Sequence, residues 1–356
     1  MRIVVTGASG NVGTALLRRL AAAGPHSILG IARRVPDRSS APYDAATWRS
    51  VDLTDRDAAT ELTSAFTGAD AVVHLAWGFQ PSHDLGYLEE LGVGGTRRVL
   101  EAVAAAGVPH LVHMSSVGAY SPKHDDQPVD ESWPTGGVPS SPYSTHKAAA
   151  ERLLDAHEQA HPDRVVTRTR PGIVGQRRAG SALLRYAVPG IVPAAVIAHL
   201  PLLPLDRRLV IPVVHADDVA DALARAVEQR VGGAFNLAAE PAVTTAAIAG
   251  ALGARMVHVP APVLRVALTA AWKARVEQLD PGWLDLGFAV PLIDSSRAER
   301  ELGWWPQHDA LSVLAETVAG MAGADSDRSP VLRPRTVLGQ LLAAARSGPV
   351  SYRRKP

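Results

Sequence analysis

The sequence contains no cysteine, which excludes disulfide bonds, thiolate nucleophiles and cysteine-ligated metal sites. It also lacks an excess of charge, because its formal net charge is only +1 at pH 7. It therefore has no overall basic surface of the kind that binds nucleic acid. Histidines are present, but His74, His113, His199 and His215 do not have the spacing of metal ligands. We predict no nucleic-acid partner and no metal site.

A membrane-spanning run is missing as well. The one uncharged apolar stretch of spanning length, residues 186–205, contains prolines that would break the hydrogen-bond ladder of a helix. These prolines are Pro189, Pro193, Pro201 and Pro204. No signal peptide precedes the first predicted strand. We therefore expect no membrane span and a location in the cytoplasm.

What the sequence does contain is a glycine-rich turn between an apolar strand and an amphipathic helix predicted over residues 11–23. Gly7 permits the tight turn, Gly10 lets the main chain approach a pyrophosphate, and Gly13 lets helix and strand pack closely. Phosphates would bind the free N–H groups at the helix N-terminus. The predicted cofactor contacts in this turn are Gly7, Ser9, Gly10, Asn11, Val12 and Gly13. The glycines alone are also compatible with a turn that binds nothing.

The second predicted strand, residues 27–32, ends at the position that contacts the adenosine ribose in dinucleotide-binding folds. Arg33 and Arg34 follow it, and two guanidiniums favour the 2′-phosphate of NADP(H) over NAD(H). A solvated basic loop is the alternative. Asp52 and Leu53 follow the third strand, where Asp52 could accept a hydrogen bond from adenine or act as a turn residue. Thr54 is predicted to cap the next helix in a capping box with Asp57.

Strands and helices continue to alternate through residues 71–76, 93–106 and 111–116. This alternation predicts an α/β fold, a Rossmann-type doubly wound parallel sheet built from right-handed βαβ units. Ligands of such sheets bind at the carboxyl ends of the strands. Leu75 and Ala76, which end the fourth strand, are therefore further candidates for cofactor contact.

A helix is predicted to begin near residue 141, with Ser141 as its N-cap and Pro142 at its first position. Tyr143 and Lys147 then share one face of the helix. A neighbouring cation lowers the pKa of a phenol from about 10, so the pair predicts a general acid/base. Ser116, at the end of the fifth strand, could hydrogen-bond the same substrate oxygen. By itself the Tyr–Lys pair could also be an ordinary surface pair.

Together these motifs resemble the extended short-chain dehydrogenase/reductase family, in its epimerase/dehydratase branch. Matches continue downstream to about residue 320, in the segments Arg170-Pro171-Gly172-Ile173-Val174-Gly175, His215-Ala216-Asp217-Asp218-Val219, Ala234-Phe235-Asn236-Leu237 and Leu302-Gly303-Trp304-Trp305-Pro306. The resemblance implies that Ser116, rather than Ser115, is the catalytic serine. It implies that Pro171, Ile173 and Val174 border the nicotinamide, and that Tyr143 and Lys147 contact the cofactor. It also gives a family-level expectation of a homodimer.

The sequence departs from the family pattern in three places. Arg33 and Arg34 stand where the NAD-type members carry Asp. Gly92 stands where members often carry Asn, so it has no side chain to organise a proton-relay water. Ser121 follows Tyr120 where the family prefers glycine.

The predicted NADP-binding Rossmann domain comprises residues 1–175 and is rejoined by about 209–239. Residues 176–208 and 240–324 are predicted to form a smaller mixed α/β substrate lobe. Residues 325–356 form a basic C-terminal extension, for which we favour a solvated, mobile tail over a docking arm.

The predicted lobe is rich in apolar residues, which suits a hydrophobic carbonyl or alcohol or, alternatively, the lobe's own core. Arg185, Arg207, Arg208 and Arg297 could instead bind a substrate pyrophosphate. A helix is predicted over residues 263–279. We expect Trp272 and Trp283 to lie in the core. Trp77 and Trp133 lie in predicted loops near the cleft, so we expect them at the substrate wall.

The favoured function is an NADP(H)-dependent oxidoreductase that acts on a hydrophobic small molecule. Tyr143 would move the proton, Ser116 would hold the oxygen, and Lys147 would tune Tyr143 and fix the ribose. One alternative is a nucleotide-sugar epimerase/dehydratase that uses tightly bound NAD(P). Another is a non-catalytic NADP-sensing regulator, although such proteins generally lack the Tyr–Lys pair.

Overall fold

The computed structural model describes residues 1–78, 82–187, 193–275 and 277–336. Its strands, in chain order, are β1 (Arg2–Thr6), β2 (Ser27–Ala32), β3 (Thr47–Ser50), β4 (Ala71–His74), β5 (His110–Met114), β6 (Val165–Pro171), β7 (Ile173–Gly175), β8 (Leu202–Leu205), β9 (Val210–His215), β10 (Gly233–Leu237), β11 (Ala239–Thr244) and β12 (Arg255–His258). Its α-helices are α1 (Asn11–Ala22), α2 (Ala58–Phe66), α3 (Leu85–Glu89), α4 (Gly95–Ala106), α5 (Pro142–Ala160), α6 (Gly180–Ala187), α7 (Ala216–Gln229), α8 (Thr245–Ala251), α9 (Ala261–Lys273), α10 (Pro281–Ala289), α11 (Ser296–Leu302) and α12 (Ala310–Ala322).

Seven parallel strands form the main sheet, in the order β3-β2-β1-β4-β5-β6-β10. The order reverses between β1 and β4, and ligands of doubly wound sheets bind at such a switch point. This confirms the predicted Rossmann-type fold. Two small sheets, β11-β9-β7 and β12-β8, lie outside the main sheet.

Apolar side chains bury both faces of the main sheet. On one face, Leu16 and Leu20 of α1 pack in a cluster with Leu223 of α7. On the other face, Phe66 of α2 and Val103 of α4 pack in a second cluster. The central strands β1 and β4 are buried apolar runs, as expected of parallel strands that are covered on both faces.

The structure corrects the predicted start of the second helix. Helix α2 begins at Ala58, so the predicted capping box of Thr54 and Asp57 is wrong. The Asp52 carboxylate instead accepts hydrogen bonds from the backbone N–H of Thr54, at 3.0 Å, and from its hydroxyl, at 2.8 Å. Aspartate side chains compete in this way for nearby backbone donors and favour turns over helices. The helix predicted from residue 93 begins at Gly95, after a π-helical turn at Glu90–Gly94.

Helix α5 begins where the sequence predicts, with Pro142 in its first turn and the Ser141 hydroxyl accepting from the Ser144 N–H. Farther along, α5 buries Glu151 against the sheet. Its carboxylate accepts from Arg168 and Arg170, each at 2.9 Å, and from the Ser115 hydroxyl at 2.6 Å. Burial opposes ionisation, but the hydrogen bonds and charges of the two arginines hold the pKa of Glu151 at about 2. The carboxylate therefore joins α5 to the ends of β5 and β6.

The substitution Glu151→Gln should lower the free energy of unfolding by about 3 kcal/mol, because it removes the charge that compensates two buried guanidiniums. Asp155→Asn is a matched control, since Asp155 also pairs with Arg168 but its side chain is 52% exposed. It should cost less than about 1 kcal/mol. Urea unfolding of both variants tests this, and equal losses would contradict it.

The outer face of the substrate lobe differs from the prediction. Helix α9 ends at Lys273 rather than near residue 279, and none of its residues is fully buried. Trp272 does not enter the core but stacks on His83, with 4.6 Å between ring centroids. The helix therefore lies on the exterior of the lobe. Val276, predicted on the same face, lies outside the described residues.

The first part of the C-terminal extension is packed rather than solvated. Ser329, Leu332 and Arg335 are buried, and Leu332 packs against Ala179 and Ala182. The expectation of a mobile tail is therefore wrong for residues 325–336, because Leu332 buries apolar surface there. The short helix predicted over residues 337–345 and the basic end at residues 352–355 lie outside the described residues.

Within the described ranges, none of the helices combines the length and the apolar character needed to span a bilayer. The same ranges contain no group of three or more histidine and acidic side chains arranged to hold a metal ion.

Candidate active site

A cavity of about 510 Å³ opens at the carboxyl ends of the main-sheet strands. All of the cofactor and catalytic residues predicted from the sequence line it: Gly7, Ser9, Gly10, Asn11, Val12, Gly13, Arg33, Arg34, Asp52, Leu53, Leu75, Ala76, Ser116, Tyr143, Lys147, Pro171, Ile173 and Val174. The structure thus brings these residues together, while the role of each stays a prediction.

The glycine turn has the geometry that a close approach to phosphate requires. Gly7 adopts φ +73°, and a Cβ there would lie 2.6 Å from the backbone nitrogen of Ala76. A Cβ at Gly13 would lie 2.3 Å from the carbonyl oxygen of Gly7. Side chains at either position would push the turn away from the sheet. Gly10 is the N-cap of α1, so the positive end of that helix faces the cavity.

Gln176 supports the glycine turn, although no motif in the sequence indicates this role. Its buried amide donates to the Asn11 carbonyl, at 3.0 Å, and to the Asn11 side-chain oxygen, at 2.5 Å. Asn11 in turn donates to the carbonyl of Val174, at 3.3 Å. These bonds join the glycine turn to β7. The only sequence signal was the position of Gln176 directly after the segment that ends at Gly175.

The end of the cavity that carries Arg33 and Arg34, where we predict that adenosine binds, is cationic. Arg33 donates to the hydroxyl of Tyr87, a cavity residue that the sequence did not indicate. Burial lowers the pKa of Arg34, and the positive charges of Arg333 and Arg33 lower it further. Among the described residues, no acidic side chain forms an ion pair with any of these three arginines.

The catalytic candidates lie just after β5 and on α5. The Ser116 hydroxyl accepts from the Gly118 N–H, at 3.0 Å, and hydrogen-bonds Tyr143. Burial raises the pKa of Tyr143 to about 12, and the bond to Ser116 acts in the opposite direction. The expected lowering of this pKa is therefore wrong. Desolvation outweighs the hydrogen bond from Ser116, and the Lys147 charge does not lower the pKa of the phenol.

Lys147 is buried and makes contacts that the sequence did not predict. Its ammonium donates to the Met114 carbonyl, at 3.1 Å, and lies 3.7 Å from the centroid of the Trp77 ring. Burial lowers the pKa of Lys147 to about 7, although the charge of Glu151 opposes this shift. The side chain thus lies in a dry environment in which its charged form is costly.

Gly92 makes room for Trp77. A Cβ at Gly92 would lie 3.0 Å from the Trp77 ring. Because glycine replaces the asparagine that family members often carry here, the Trp77 indole can occupy this space. Trp283, expected in the core, lines the cavity and packs on Tyr143 with 4.8 Å between ring centroids. Trp133 does not line it, because its indole donates to the Ser121 carbonyl in a neighbouring apolar cluster. Trp77 and Trp283 therefore form the aromatic walls.

Lys147 should make stability depend on pH. An unfolded lysine has a pKa of about 10.4, so between about pH 7 and pH 10 the unfolded chain keeps a proton that the folded protein has released. Stability should therefore rise with pH in this window, by roughly 2 to 4 kcal/mol. Lys147→Met should abolish most of the rise.

Urea unfolding at several pH values measures this effect. Lys273→Met, at an exposed position of α9, is the matched control and should leave the slope unchanged. An identical slope in wild type and Lys147→Met would show that Lys147 keeps an ordinary proton affinity.

The cationic residues of the substrate lobe are engaged outside the cavity. Arg185 donates to the carbonyls of Val331 and Arg333. Arg208 pairs with Asp206 and Arg297 pairs with Glu301. Neither these three nor Arg207 lines the cavity. The residues of the predicted lobe that do line the cavity are uncharged. Leu286 and Val290 lie in an apolar cluster with Tyr143, whereas Ala179, Ala182 and Leu183 cluster with Val331 and Leu332.

Comparison with known proteins identifies the class to which this fold and site belong. Residues 3–238 match the model of the NAD dependent epimerase/dehydratase family. Because the match extends over more than half of the chain, the protein belongs to this family of NAD(P)-dependent enzymes.

Individual relatives agree with this assignment. The chain is 30% identical over 333 residues to UDP-glucose 4-epimerase of Mycolicibacterium smegmatis, covering 89% of this chain and 97% of that protein. It is 31% identical over 327 residues, or 91% of its length, to an uncharacterized protein of Mycobacterium tuberculosis, but spans only 30% of that longer protein. The solved UDP-glucose 4-epimerase of Thermus thermophilus, in complex with NAD, shares the fold. Its TM-score is 0.67 at 24% identity, over 91% of this chain and 100% of that chain.

Proposed function

We propose that the protein is an NADP(H)-dependent oxidoreductase that transfers a hydride between the nicotinamide and a carbonyl or alcohol carbon of a hydrophobic small molecule. One observation carries this proposal. Ser116, Tyr143 and Lys147 line a cavity whose substrate-lobe wall is apolar and, among the described residues, receives no cationic side chain from that lobe. Such a wall suits a ligand without a pyrophosphate.

The residues present fit a dinucleotide. The glycine turn and the N-terminus of α1 would hold its pyrophosphate, Arg33 and Arg34 would hold its 2′-phosphate, and Pro171, Ile173 and Val174 would border its nicotinamide. The bound cofactor would supply the hydride.

The protein's own side chains would handle the proton. With a pKa of about 12, Tyr143 carries its proton at neutral pH, so its hydroxyl can donate it to a substrate carbonyl oxygen during reduction. Ser116, which bonds Tyr143, would hold the same oxygen as negative charge develops on it. Lys147 would donate to a ribose hydroxyl and stabilise the tyrosinate that remains. Trp77 and Trp283 would keep water away from these groups.

Tyr143→Phe should lower turnover by at least about 100-fold, because it removes the proton donor. NADPH binding should stay within a few-fold of wild type. Steady-state reduction of a panel of hydrophobic carbonyl compounds, together with fluorescence titration of NADPH, measures both properties.

Two neighbouring serines give a matched control. Ser116→Ala should lose turnover to a similar extent. Ser115→Ala should keep most of it, because Ser115 donates to Glu151 rather than to substrate and Arg168 and Arg170 still hold that carboxylate. Full activity of Tyr143→Phe would refute the proposed mechanism.

The cofactor preference has its own test. NADPH should bind more tightly than NADH, and Arg34→Ala should weaken NADPH binding by about 10- to 100-fold while leaving NADH binding unchanged. Titration of both dinucleotides against wild type and variant measures this. Tighter binding of NADH by the wild-type protein would overturn the proposed preference.

The second candidate is a nucleotide-sugar epimerase/dehydratase, which is favoured by the similarity to the epimerase of Mycolicibacterium smegmatis. Such an enzyme would oxidise and re-reduce its substrate on a retained cofactor. NAD(P) retained through purification, with no net consumption of NADPH, would support it over the oxidoreductase. A cytoplasmic location and a homodimer stay predictions.

A further inference from the structure

Residues 325–336, which we name the C-terminal strap, reach the adenosine end of the cavity. Pro330, Val331 and Leu332 line the same cavity as Arg33 and Arg34. The strap leaves α12 and crosses over α6. It is therefore part of the candidate cofactor site, although it follows the region of family resemblance along the chain.

The strap is held in place by specific bonds to α6 and its surroundings. The buried guanidinium of Arg185 donates to two strap carbonyls, those of Val331 and Arg333. The Ser181 hydroxyl accepts from the Arg335 N–H, at 3.3 Å. Asp327 accepts from the side chains of Tyr43, at 2.9 Å, and Arg178, at 3.0 Å.

Arg333 directly follows Leu332, the last of the three strap residues that line the cavity together with Arg34. The side chain of Arg333 is exposed, and its positive charge contributes to the lowered pKa of Arg34. The following residue, Pro334, restricts Arg333 to extended backbone conformations, which lowers the entropy cost of presenting its guanidinium. Three guanidiniums that repel one another and have no acidic partner in the described chain are suited to a phosphate dianion.

We propose that the strap completes the cofactor site and that Arg333 is a third cationic contact, beside Arg33 and Arg34, to the 2′-phosphate of NADP(H). The inference rests on the proposed use of NADP(H). It assigns a specificity-determining residue to a part of the chain outside the dinucleotide-binding motifs.

The variant Arg333→Ala tests the proposal in the full-length protein. Binding of NADPH should weaken about 10-fold and binding of NADH should not change. The fragments adenosine 2′,5′-bisphosphate and AMP, used as competitors, should show the same contrast, because they differ in the 2′-phosphate.

Arg328→Ala is the matched control, since Arg328 lies in the same strap and is exposed, but it does not adjoin the residues that line the cavity and its charge is not among those that act on Arg34. It removes the same charge and should leave NADPH binding unchanged. Thermal unfolding of both variants, without cofactor, should match that of the wild-type protein.

Several results would overturn the inference. Equal weakening by Arg333→Ala and Arg328→Ala would show only a long-range charge effect. Equal weakening of NADPH and NADH by Arg333→Ala would show a structural role for the strap. If Arg34→Ala weakens NADPH binding but Arg333→Ala does not, the strap inference fails and the proposed cofactor stands. If the wild-type protein prefers NADH, both fail together.

Discussion

The arrangement of the candidate site depends on one buried carboxylate. Glu151 receives bonds from Arg168 and Arg170 on β6 and from Ser115 at the end of β5, while its own helix carries Tyr143 and Lys147. These contacts fix how α5 lies against the sheet, and therefore how the Tyr143 phenol lies relative to Ser116. A buried ion pair contributes little net stability compared with an apolar core, but it is highly specific in geometry. The candidate site needs a fixed position of the Tyr143 phenol relative to Ser116, and the contacts of Glu151 provide it.

The same packing makes the site dry, which changes the chemistry expected from the Tyr–Lys motif alone. The spacing of Tyr143 and Lys147 suggests a phenol made acidic by its neighbour. In the structure, burial disfavours both charged forms, so the pKa of the phenol rises while that of the ammonium falls. The phenol of Tyr143 therefore keeps its proton at neutral pH, while the Lys147 ammonium loses its proton more readily than an exposed lysine does. Charged groups of a bound ligand would shift the pKa values of Tyr143 and Lys147 again.

Local rules predicted the parts of the molecule that local geometry determines. The glycine turn, the boundaries of β2 and the start of α5 each follow from residues within a few positions of one another, such as Ser141 and Pro142. Features that depend on distant partners were missed. Gln176 bonds Asn11, which is distant in the sequence. Trp283 lines the cavity through tertiary packing. Residues 325–336 pack because Leu332 contacts apolar residues near α6. Their neighbours in sequence carry no signal of these contacts.

The predicted substrate lobe differs from a pyrophosphate-binding surface in where its arginines lie, because none of those in the described part of the chain lines the cavity. Arginines are present in the lobe, but internal acceptors engage them. Arg208 pairs with Asp206, Arg297 pairs with Glu301, and Arg185 binds the carbonyls of residues 331 and 333. A guanidinium bonded to the protein's own carbonyls is no longer directed at a substrate phosphate. Arg185 instead fixes the chain segment that carries Arg333, while Leu286 and Val290 form an apolar cluster with Tyr143.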